Sequence, residues 1–379
     1  MSKKVLFTAT VLSHIGQFHM PTFRTLKRRR YEIHVAAKNN LNVKSGLELK
    51  YVDKYYDIPF ERMPLSFSNI KAYFKLKKII NKNDYDILHC NTPTAGILTR
   101  IAARKKKIRA KVIYTAHGFH FFSKAPIKFW AFYYPIERMM ARITDALITI
   151  NEEDYKRAKQ FKLKKNGELH HLKGLGIDIK NFPRQTQESK TSEREKYGIR
   201  KNDYVIFSVG ELNKNKHQDL VIKAVNELKR DLVNIKLIIA GNGPMEEKYK
   251  RLIKNLNIED KVIFTGYTRD ISALMQASDV FVSSSKREGL PISVLEAMAT
   301  GLPMVVTDCR GNRDLVKNGI NGLLTDVYDY KEMVKAIKRV YYNKDLSIKF
   351  YDESKKILKE YNSKRIMREI GAIYKMLVK

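Results

Sequence analysis

Two carboxylates, Glu288 and Glu296, are separated by seven residues in the segment 288–303, EGLPISVLEAMATGLP. The segment follows an apolar run and predicts a helix with proline near its first position and Gly301 at its end. Glu296 has apolar neighbours on both sides, and a buried carboxylate must find hydrogen-bond donors or become neutral. Hydroxyl groups of a sugar or a ribose would supply them. The alternative is an ordinary helix with a capping Glu288 and a solvent-facing Glu296.

This segment resembles the paired-glutamate motif of family 4 glycosyltransferases, which are retaining enzymes of the GT-B fold. The resemblance implies that Glu288 is a catalytic residue holding the hydroxyls of the donor sugar, while Glu296 holds the ribose. It also places Gly289, Leu290 and Pro291 in the donor site.

A second candidate is the lysine-containing loop 210–217, GELNKNKH, which follows a predicted strand where a helix N-terminus can receive phosphate. The loop resembles the family sequence Gly-Arg-Leu-x-x-x-Lys-Gly, in which Lys216 matches the lysine that contacts the diphosphate. Glu211 replaces the arginine and His217 replaces the last glycine, and we expect Lys214 to compensate for the carboxylate. A solvated, lysine-rich turn is the alternative, because charge runs usually face water.

Further donor-side positions follow in order along the second half. The segment 241–244, GNGP, resembles the family's Gly-x-Gly-Pro, so Gly241 and, from the preceding loop, Gly210 are assigned to the donor site. The strand that ends near Tyr267 resembles the element beside the nucleotide base, and we expect Tyr267 or its backbone to border that base.

Histidines follow two predicted strands of the first half. His117 precedes a glycine and matches the family position whose imidazole contacts the donor sugar, which makes it the second catalytic candidate. His14, Gly16 and His19 follow the first strand, where the family has an acceptor-side loop, and His120 is also an acceptor-side candidate. A histidine satisfied by backbone groups is the more common alternative. A neutral imidazole can both donate and accept a hydrogen bond.

No metal site or cofactor is expected. The sequence Asp84-Tyr85-Asp86 mimics the metal-binding Asp-x-Asp of another glycosyltransferase fold, but it precedes a strand and would lie away from the carboxyl-end edge where ligands bind. Lysines and a helix dipole would stabilise the leaving diphosphate instead. Cys90 and Cys309 are expected to be free thiols in a reducing cytosol.

The elements that position these residues follow an alternation of short apolar strands and longer helical patterns, which occurs twice and predicts an α/β fold. By resemblance this is GT-B, with two doubly wound Rossmann-like domains facing each other across a cleft. We expect an acceptor-side domain over 1–182, a linker over 183–198, a nucleotide-sugar domain over 199–360, and a final helix over 361–379 that crosses back. The predicted strands are 5–9, 33–37, 51–58, 87–90, 112–115, 146–150, 204–209, 235–240, 262–265, 280–283 and 304–307.

The chain of 379 residues carries a formal charge of +33. Residues 1–190 hold 38 Lys and Arg against 15 Asp and Glu, a net +23, which leaves +10 for the rest. A chain with so large a positive charge is expected to have a strongly basic surface, which implies an anionic partner. The basic run 104–111 precedes an aromatic and basic stretch over 121–142, which suits an anionic bilayer. No stretch predicts a spanning helix or a cleaved leader, so we expect a cytoplasmic protein bound peripherally to the inner face of the membrane.

The resemblance to family 4 glycosyltransferases implies that the chain is a hexosyltransferase. By resemblance it moves an N-acetylated amino sugar from a UDP donor to a polyprenyl-diphosphate-linked saccharide in capsule, exopolysaccharide or other surface-glycan assembly. A nucleotide-sugar epimerase of the same fold is one alternative. A basic nucleic-acid-binding protein is the other, although the sequence lacks a recognisable nucleic-acid-binding motif.

Overall fold

The computed structural model describes residues 2–43, 47–104 and 109–378. The chain forms two compact units. The first comprises residues 1–176 together with 363–379, and the second comprises 177–362.

The first unit is built on a parallel sheet of seven strands in the order β3-β2-β1-β4-β5-β6-β7. The strands are β1 Lys4–Val11, β2 Glu32–Lys38, β3 Lys54–Asp57, β4 Ile87–Asn91, β5 Lys111–Ala116, β6 Ala146–Thr149 and β7 Glu168–His171. The helices are α1 Leu12–Phe18, α2 Met20–Arg28, α3 Phe67–Lys82, α4 Pro93–Ala102, α5 Ile127–Ala141, α6 Glu152–Ala158 and, at the end of the chain, α15 Ser363–Leu377.

The second unit contains a parallel sheet of six strands in the order β10-β9-β8-β11-β12-β13. The strands are β8 Tyr204–Val209, β9 Ile235–Ala240, β10 Val262–Gly266, β11 Val280–Ser283, β12 Met304–Thr307 and β13 Leu323–Thr325. The helices are α7 Gln187–Lys196, α8 Asp219–Leu228, α9 Glu246–Asn255, α10 Ile271–Gln276, α11 Ile292–Thr300, α12 Arg310–Leu315, α13 Tyr330–Tyr342 and α14 Asp345–Leu358.

Each sheet separates two apolar cores, because successive side chains of a strand point to opposite faces. In β1, Val5 and Phe7 belong to the core covered by α1, α2 and α15, whereas Leu6 belongs to the core covered by α3 and α4. In β8, Ile206 packs with α8 and α13, while Phe207 packs with α10 and α11. Strands that are buried on both faces have continuous apolar sequences, which explains why they could be predicted from the sequence.

The strand order places one switch point near the middle of each sheet. The direction of strand addition reverses between β1 and β4 in the first unit and between β8 and β11 in the second. Open α/β sheets bind ligands beside such switch points. The loops that follow these strands contain most of the predicted site residues.

Three features differ from the expectation. The short strands β7 and β13 were absent from the predicted set. The polar segment 183–198, expected to be a linker, contains α7, which belongs to the second unit. Thr186 caps this helix through a reciprocal capping box with Ser189. The first unit ends at Gly176, six residues before the expected boundary, and its last segment begins at Ser363.

Over the described residues, no helix combines the length and apolarity that crossing a bilayer requires.

Candidate functional site

The loop 210–217 of the second unit connects β8 to α8 and is shaped by its own side chains. Asn213 Oδ1 accepts hydrogen bonds from the backbone N–H groups of Asn215 and Lys216, each at 2.9 Å. His217 then adopts a positive φ of 54°. That conformation costs an L-residue more than glycine, which gives a physical reason for the glycine of the family pattern at this position.

The predicted phosphate lysine and the predicted sugar carboxylate are in direct contact. Lys216 Nζ lies 2.6 Å from Glu288 Oε1, and both side chains are mostly shielded from solvent. A charge-assisted hydrogen bond of this length orients both groups.

Three hydrogen bonds to backbone carbonyl groups join the two segments that contain this ion pair. Ser284 Oγ donates to the Lys216 carbonyl at 2.8 Å, and the Lys286 N–H donates to the Asn215 carbonyl at 2.8 Å. In return Asn215 Nδ2 donates to the Arg287 carbonyl at 3.1 Å. The loop after β8 is therefore hydrogen-bonded to the segment after β11. The two segments are neighbours because β8 and β11 are adjacent parallel strands.

Arg310, the first residue of α12, adds a cation beside this pair. The side chain is buried, and its Nε donates to the Glu288 carbonyl at 3.1 Å. The sequence analysis did not single it out. An arginine three residues after the apolar strand β12 was the available signal, because an arginine that is buried must be compensated by acceptors or charge.

The segment after Glu288 leads into α11 as predicted. Pro291 caps the helix from outside, and Gly301 ends it with a φ of 85°, in the left-handed region that glycine tolerates best. Gly289 and Leu290 form the turn between Glu288 and Pro291, and both are partly buried.

Glu296 lies within α11, and burial raises the pKa of its carboxyl group to about 7. Desolvation disfavours the charged form and is the cause of this shift. A carboxyl group held between its two protonation states near neutral pH is suited to hydroxyl ligands, because it can accept or donate a hydrogen bond.

The remaining donor-side candidates also lie at the carboxyl-end edge of the second sheet. Gly241 follows β9 so closely that a Cβ there would lie 2.1 Å from the Gly210 carbonyl oxygen, which only glycine avoids. Tyr267 directly follows β10, whose Gly266 carbonyl accepts from the Gly241 N–H at 2.8 Å. Glu211 and Lys214 are both exposed, and the structure shows no ion pair for Glu211 among the described residues, so compensation by Lys214 stays a prediction.

In the first unit, His117 follows β5 and is oriented by a neighbouring strand. Its Nε2 lies 3.1 Å from Asn91 Oδ1, and because the amide oxygen only accepts, the imidazole donates. Burial lowers the pKa of His117 to about 4, so the ring is neutral near pH 7. Asn91, at the end of β4, was missed, although a polar residue in a fully buried strand is a usable signal.

His14 and His19 come together with His117, and we call these three residues the histidine cluster. One ring nitrogen from each lies within 4.8 Å of the others. The rings of His14 and His117 are 4.6 Å apart and nearly perpendicular. His19 is 1% exposed, and burial, followed by the other histidines, lowers its pKa well below 6.5. Gly16 is buried in α1.

His120 lies apart from this cluster. Its ring stacks on Tyr133 of α5 with a centroid separation of 4.4 Å. The sequence placed it on the acceptor side together with His14, Gly16 and His19, and that role stays a prediction for all four.

The residues that were expected to take no part in the site, Tyr85, Asp86 and the two cysteines, occupy structural positions. Asp86 accepts from the Lys4 N–H at 2.6 Å and precedes β4, at the opposite end from the histidine cluster. Tyr85 is buried against His34. Cys90 and Cys309 are free and buried, and burial raises both thiol pKa values to about 12.

Comparison with known proteins decides the family. A model described as "Glycosyl transferase 4-like" matches residues 4–151, and one described as "Glycosyl transferases group 1" matches 189–362. The glycosyltransferase EpsD of Bacillus subtilis (strain 168) is 40% identical over 375 residues, 99% of this chain and 97% of that protein. The chain is a family 4 glycosyltransferase of the GT-B fold.

Other relatives of this family 4 glycosyltransferase agree. The UDP-Gal:alpha-D-GlcNAc-diphosphoundecaprenol alpha-1,3-galactosyltransferase of Escherichia coli is 29% identical over 96% of this chain and 94% of that protein. The crystal structure of Anabaena HepE in complex with UDP and glucose has a TM-score of 0.80 at 19% identity, covering 99% of this chain and 100% of that one. The predicted family, enzyme class and α/β fold are confirmed.

Proposed function

We propose that this glycosyltransferase moves an N-acetylated amino sugar from a UDP donor to a polyprenyl-diphosphate-linked saccharide in capsule or exopolysaccharide assembly. The contact between Lys216 and Glu288 carries the proposal, because it joins a diphosphate-binding cation to a hydroxyl-binding carboxylate. The relatives support the substrate classes. The Escherichia coli relative is named for a UDP-sugar and a diphosphoundecaprenol acceptor, and a Staphylococcus aureus relative, 27% identical over 96% of this chain, is named for capsular polysaccharide biosynthesis.

The donor is assigned by charge and hydrogen bonding. Lys216 and the N-terminus of α8 receive the diphosphate, because both offer positive charge to phosphate oxygens. Glu288 accepts from hydroxyls of the sugar, and Glu296 holds the ribose. Gly210, Gly241 and Tyr267 border the remainder of the nucleotide.

The proposed reaction exchanges one bond at the anomeric carbon for another. The bond from that carbon to the β-phosphate oxygen breaks, and Lys216 stabilises the charge that develops on the departing diphosphate. The acceptor hydroxyl attacks from the same face and its proton passes to a β-phosphate oxygen, so configuration is retained. His117 donates to or accepts from a sugar hydroxyl in its neutral form. No cofactor or divalent ion takes part.

A panel of donors and acceptors tests this function. Nucleotide release is measured with UDP-, GDP- and ADP-sugars, with and without a polyprenyl-diphosphate disaccharide acceptor. We expect release of UDP only when the lipid-linked acceptor is present, and no loss of turnover in EDTA. Isomerisation of the donor without acceptor would favour the epimerase, and turnover with GDP- or ADP-sugars alone would overturn the UDP assignment.

We also propose that the first unit binds an anionic membrane surface, because it exposes apolar side chains. Phe67, Ile70 and Phe74 lie on one side of α3 and are 88%, 56% and 61% exposed. We call this set the α3 apolar face. Exposed lysines accompany it on the same helix, at Lys71, Lys75, Lys78 and Lys82, and α3 contains no acidic residue. Apolar and basic groups on one helix suit an anionic bilayer, with about 1 kcal/mol per basic side chain near the headgroups.

The stretch over 121–142 contributes less exposed apolar surface than its composition suggests. Its Phe121 is buried, and Trp130, Tyr133 and Tyr134 pack against that core, whereas Ile127 is 85% exposed. Of the basic run before it, residues 105–108 lie outside the described residues. The sequence did not single out α3, because its apolar residues read as an ordinary core-facing stripe.

Vesicle binding tests the surface. Sedimentation with phosphatidylglycerol vesicles compares the wild type with a variant carrying Phe67→Ser, Ile70→Ser and Phe74→Ser. We expect the triple variant to bind at least about 10-fold more weakly, since each exposed apolar side chain contributes roughly a kilocalorie or more. A Val233→Ser and Ile348→Ser variant, altering exposed apolar residues of the second unit, is the control. Tight binding to duplex DNA at matched salt without vesicle binding would contradict the membrane assignment.

A further inference from the structure

We infer that the histidine cluster, His14, His19 and His117, is a binding site for a divalent transition metal ion such as Zn²⁺, and that its occupation inhibits sugar transfer. The three side chains come from two stretches of chain, the α1–α2 region and the loop after β5. One nitrogen from each lies within 4.8 Å of the other two.

His19 is the strongest evidence that the histidine cluster binds a ligand. The residue is 1% exposed, and neither ring nitrogen has a hydrogen-bond partner in the described part of the chain. A buried polar atom without a partner costs about 1–3 kcal/mol, so such atoms are rare unless they serve a purpose. A metal ion would satisfy one of the two nitrogens.

A fourth histidine, His89, lies near the cluster but has no nitrogen available for a metal ion. His89 also lies near His19, with ring centroids 6.0 Å apart, but both its nitrogens are engaged. Its Nδ1 is 2.6 Å from the Tyr374 hydroxyl, and its Nε2 is 2.8 Å from Thr115 Oγ1. His89 therefore supports the cluster as a structural neighbour and is not a ligand.

The imidazoles are in the form that metals bind. Zn²⁺, Co²⁺ and Ni²⁺ coordinate the neutral ring, and the lowered pKa values of His19 and His117 keep both rings neutral at pH 7. His117 donates Nε2–H to Asn91 Oδ1, which fixes the tautomer and leaves a lone pair on Nδ1. Metal-bound histidines commonly show such a second contact.

Three imidazoles with an open fourth position form a recognised zinc environment. With Zn–N distances of about 2.1 Å, tetrahedral ligands are separated by roughly 3.4 Å. One nitrogen from each ring lies within 4.8 Å of the other two, so ring rotations of about an ångström suffice to bring the three nitrogens to this separation. An oxygen ligand, from water or an anionic substrate group, would complete the coordination.

The inhibitory consequence rests on the proposed function. A metal ion bound to His117 would hold the ring that is assigned to the donor sugar, so transfer would fall as the site fills. The metal site and the transfer reaction are nevertheless measured separately, and either can fail without the other.

Cobalt is the probe for binding. The full-length protein is freed of metal with EDTA, exchanged into buffer, and titrated with Co²⁺ while visible d–d absorption is recorded. We expect one equivalent to bind with the spectrum of a tetrahedral or five-coordinate nitrogen site, and Zn²⁺ to displace it. His19→Ala should weaken binding on the order of 100-fold, at least the loss seen when groups around a metal site are removed.

A matched control distinguishes this site from adventitious binding. His170 and His171 are adjacent, partly exposed imidazoles on β7 of the same unit, and a His170→Gln and His171→Gln variant should bind Co²⁺ like the wild type. Circular dichroism checks that all variants are folded. Loss of the Co²⁺ spectrum in the control, or its persistence in a His14→Ala and His19→Ala variant, would overturn the site.

Inhibition is the second measurement. Micromolar Zn²⁺ should reduce transfer by the wild type, and EDTA should restore it. If Co²⁺ binds at the cluster and Zn²⁺ leaves turnover unchanged, the inhibitory role is wrong. If no transfer is found with any donor, the Co²⁺ titration still decides whether the metal site exists.

Discussion

At the residue scale, the proposed chemistry of the second unit rests on the 2.6 Å contact between Lys216 Nζ and Glu288 Oε1. Replacing the carboxylate should therefore separate turnover from donor affinity. We expect Glu288→Ala to lower kcat at least about 100-fold, the scale of losing one group that stabilises a transition state. UDP affinity should hold or rise, because Lys216 is released to the diphosphate. Initial rates and calorimetric UDP titrations measure the two effects, and wild-type turnover would refute the assignment.

The proposed contact of Glu296 with the ribose should appear in the pH dependence of UDP affinity. Because its pKa is raised to about 7, the carboxylate fraction grows between pH 6 and 8, and a carboxylate accepts stronger hydrogen bonds from ribose hydroxyls than the neutral acid does. Wild-type UDP affinity should rise more steeply with pH than that of Glu296→Gln, and the variant should bind more weakly at pH 8. Calorimetry at several pH values measures both. Since UDP ionises identically in both titrations, parallel pH curves would argue against a ribose contact.

His19 gives a prediction about stability instead of activity. His19→Leu removes two buried nitrogens that lack partners, and we expect a gain of about 1–3 kcal/mol in the free energy of unfolding at pH 7.5. The folded-state pKa of His19 lies below the unfolded value, so the wild type loses stability as the pH falls below 6.5. The advantage of the variant should therefore be larger at pH 5.5 than at pH 7.5.

Urea unfolding at the two pH values measures this difference. His34→Leu is the matched control, because His34 is equally buried but bonds Tyr85 and Glu32, each at 2.8 Å. That substitution should destabilise the protein. If both leucine variants destabilise it equally, the nitrogens of His19 have partners in solution.

At the scale of elements, α7 shows how charge holds a polar helix in place. Asp279 accepts from Arg194 Nη2 and from the Val205 N–H at 2.6 Å, and from Lys190 Nζ at 2.5 Å. Asp279→Asn would leave the buried Arg194 without a counterion, and we expect a loss of about 3 kcal/mol or more. Urea unfolding measures it. Lys196→Ala, on the exposed side of α7, should have no measurable effect, and an equal loss there would contradict the anchoring role.

The sequence predicted those elements whose burial is visible in their own residues. Strands such as β8 and β9 are apolar throughout, because helices cover both faces of each sheet. β7, with the sequence ELHH, lies at a sheet edge and has no apolar run, and β13 has only three residues. α7 was interpreted as a linker because its anchors are ion pairs with residues about 85 positions away, as for Arg194 and Asp279. Its capping box was the local signal.

The candidate site was predictable where a motif lies on a single loop. The positions of Lys216, Glu288 and Glu296 followed from short segments after strands, and the structure adds the contact between Lys216 and Glu288. Arg310 and Asn91 were not found, because their roles depend on neighbours across the sheet edge. The histidine cluster combines two segments about 100 residues apart, and only the three-dimensional fold brings them together.

At the scale of the whole molecule, the end of the chain is part of the first unit. α15 contributes Ile366, Ile370 and Tyr374 to the core that also contains Phe7 of β1. A protein ending at Asn362 should therefore be insoluble or unfold at much lower urea, because this core loses one of its covering helices. Addition of a peptide spanning 363–378 should restore solubility. Tyr374→Phe, which removes only the hydroxyl contact with His89, should cost about 1–2 kcal/mol. A stable truncated protein would show that the helix is dispensable.

The position of α15 has a consequence for the order of events during synthesis. The 186 residues from Ile177 to Asn362 are translated between the two parts of the first unit. At roughly 5–20 residues per second, the opening segment waits on the order of ten to forty seconds for its missing helix. During that interval the surface that α15 will cover is exposed on the nascent chain. The second unit, which is continuous in sequence, can complete its core first, so the half that begins the chain is the half that matures last.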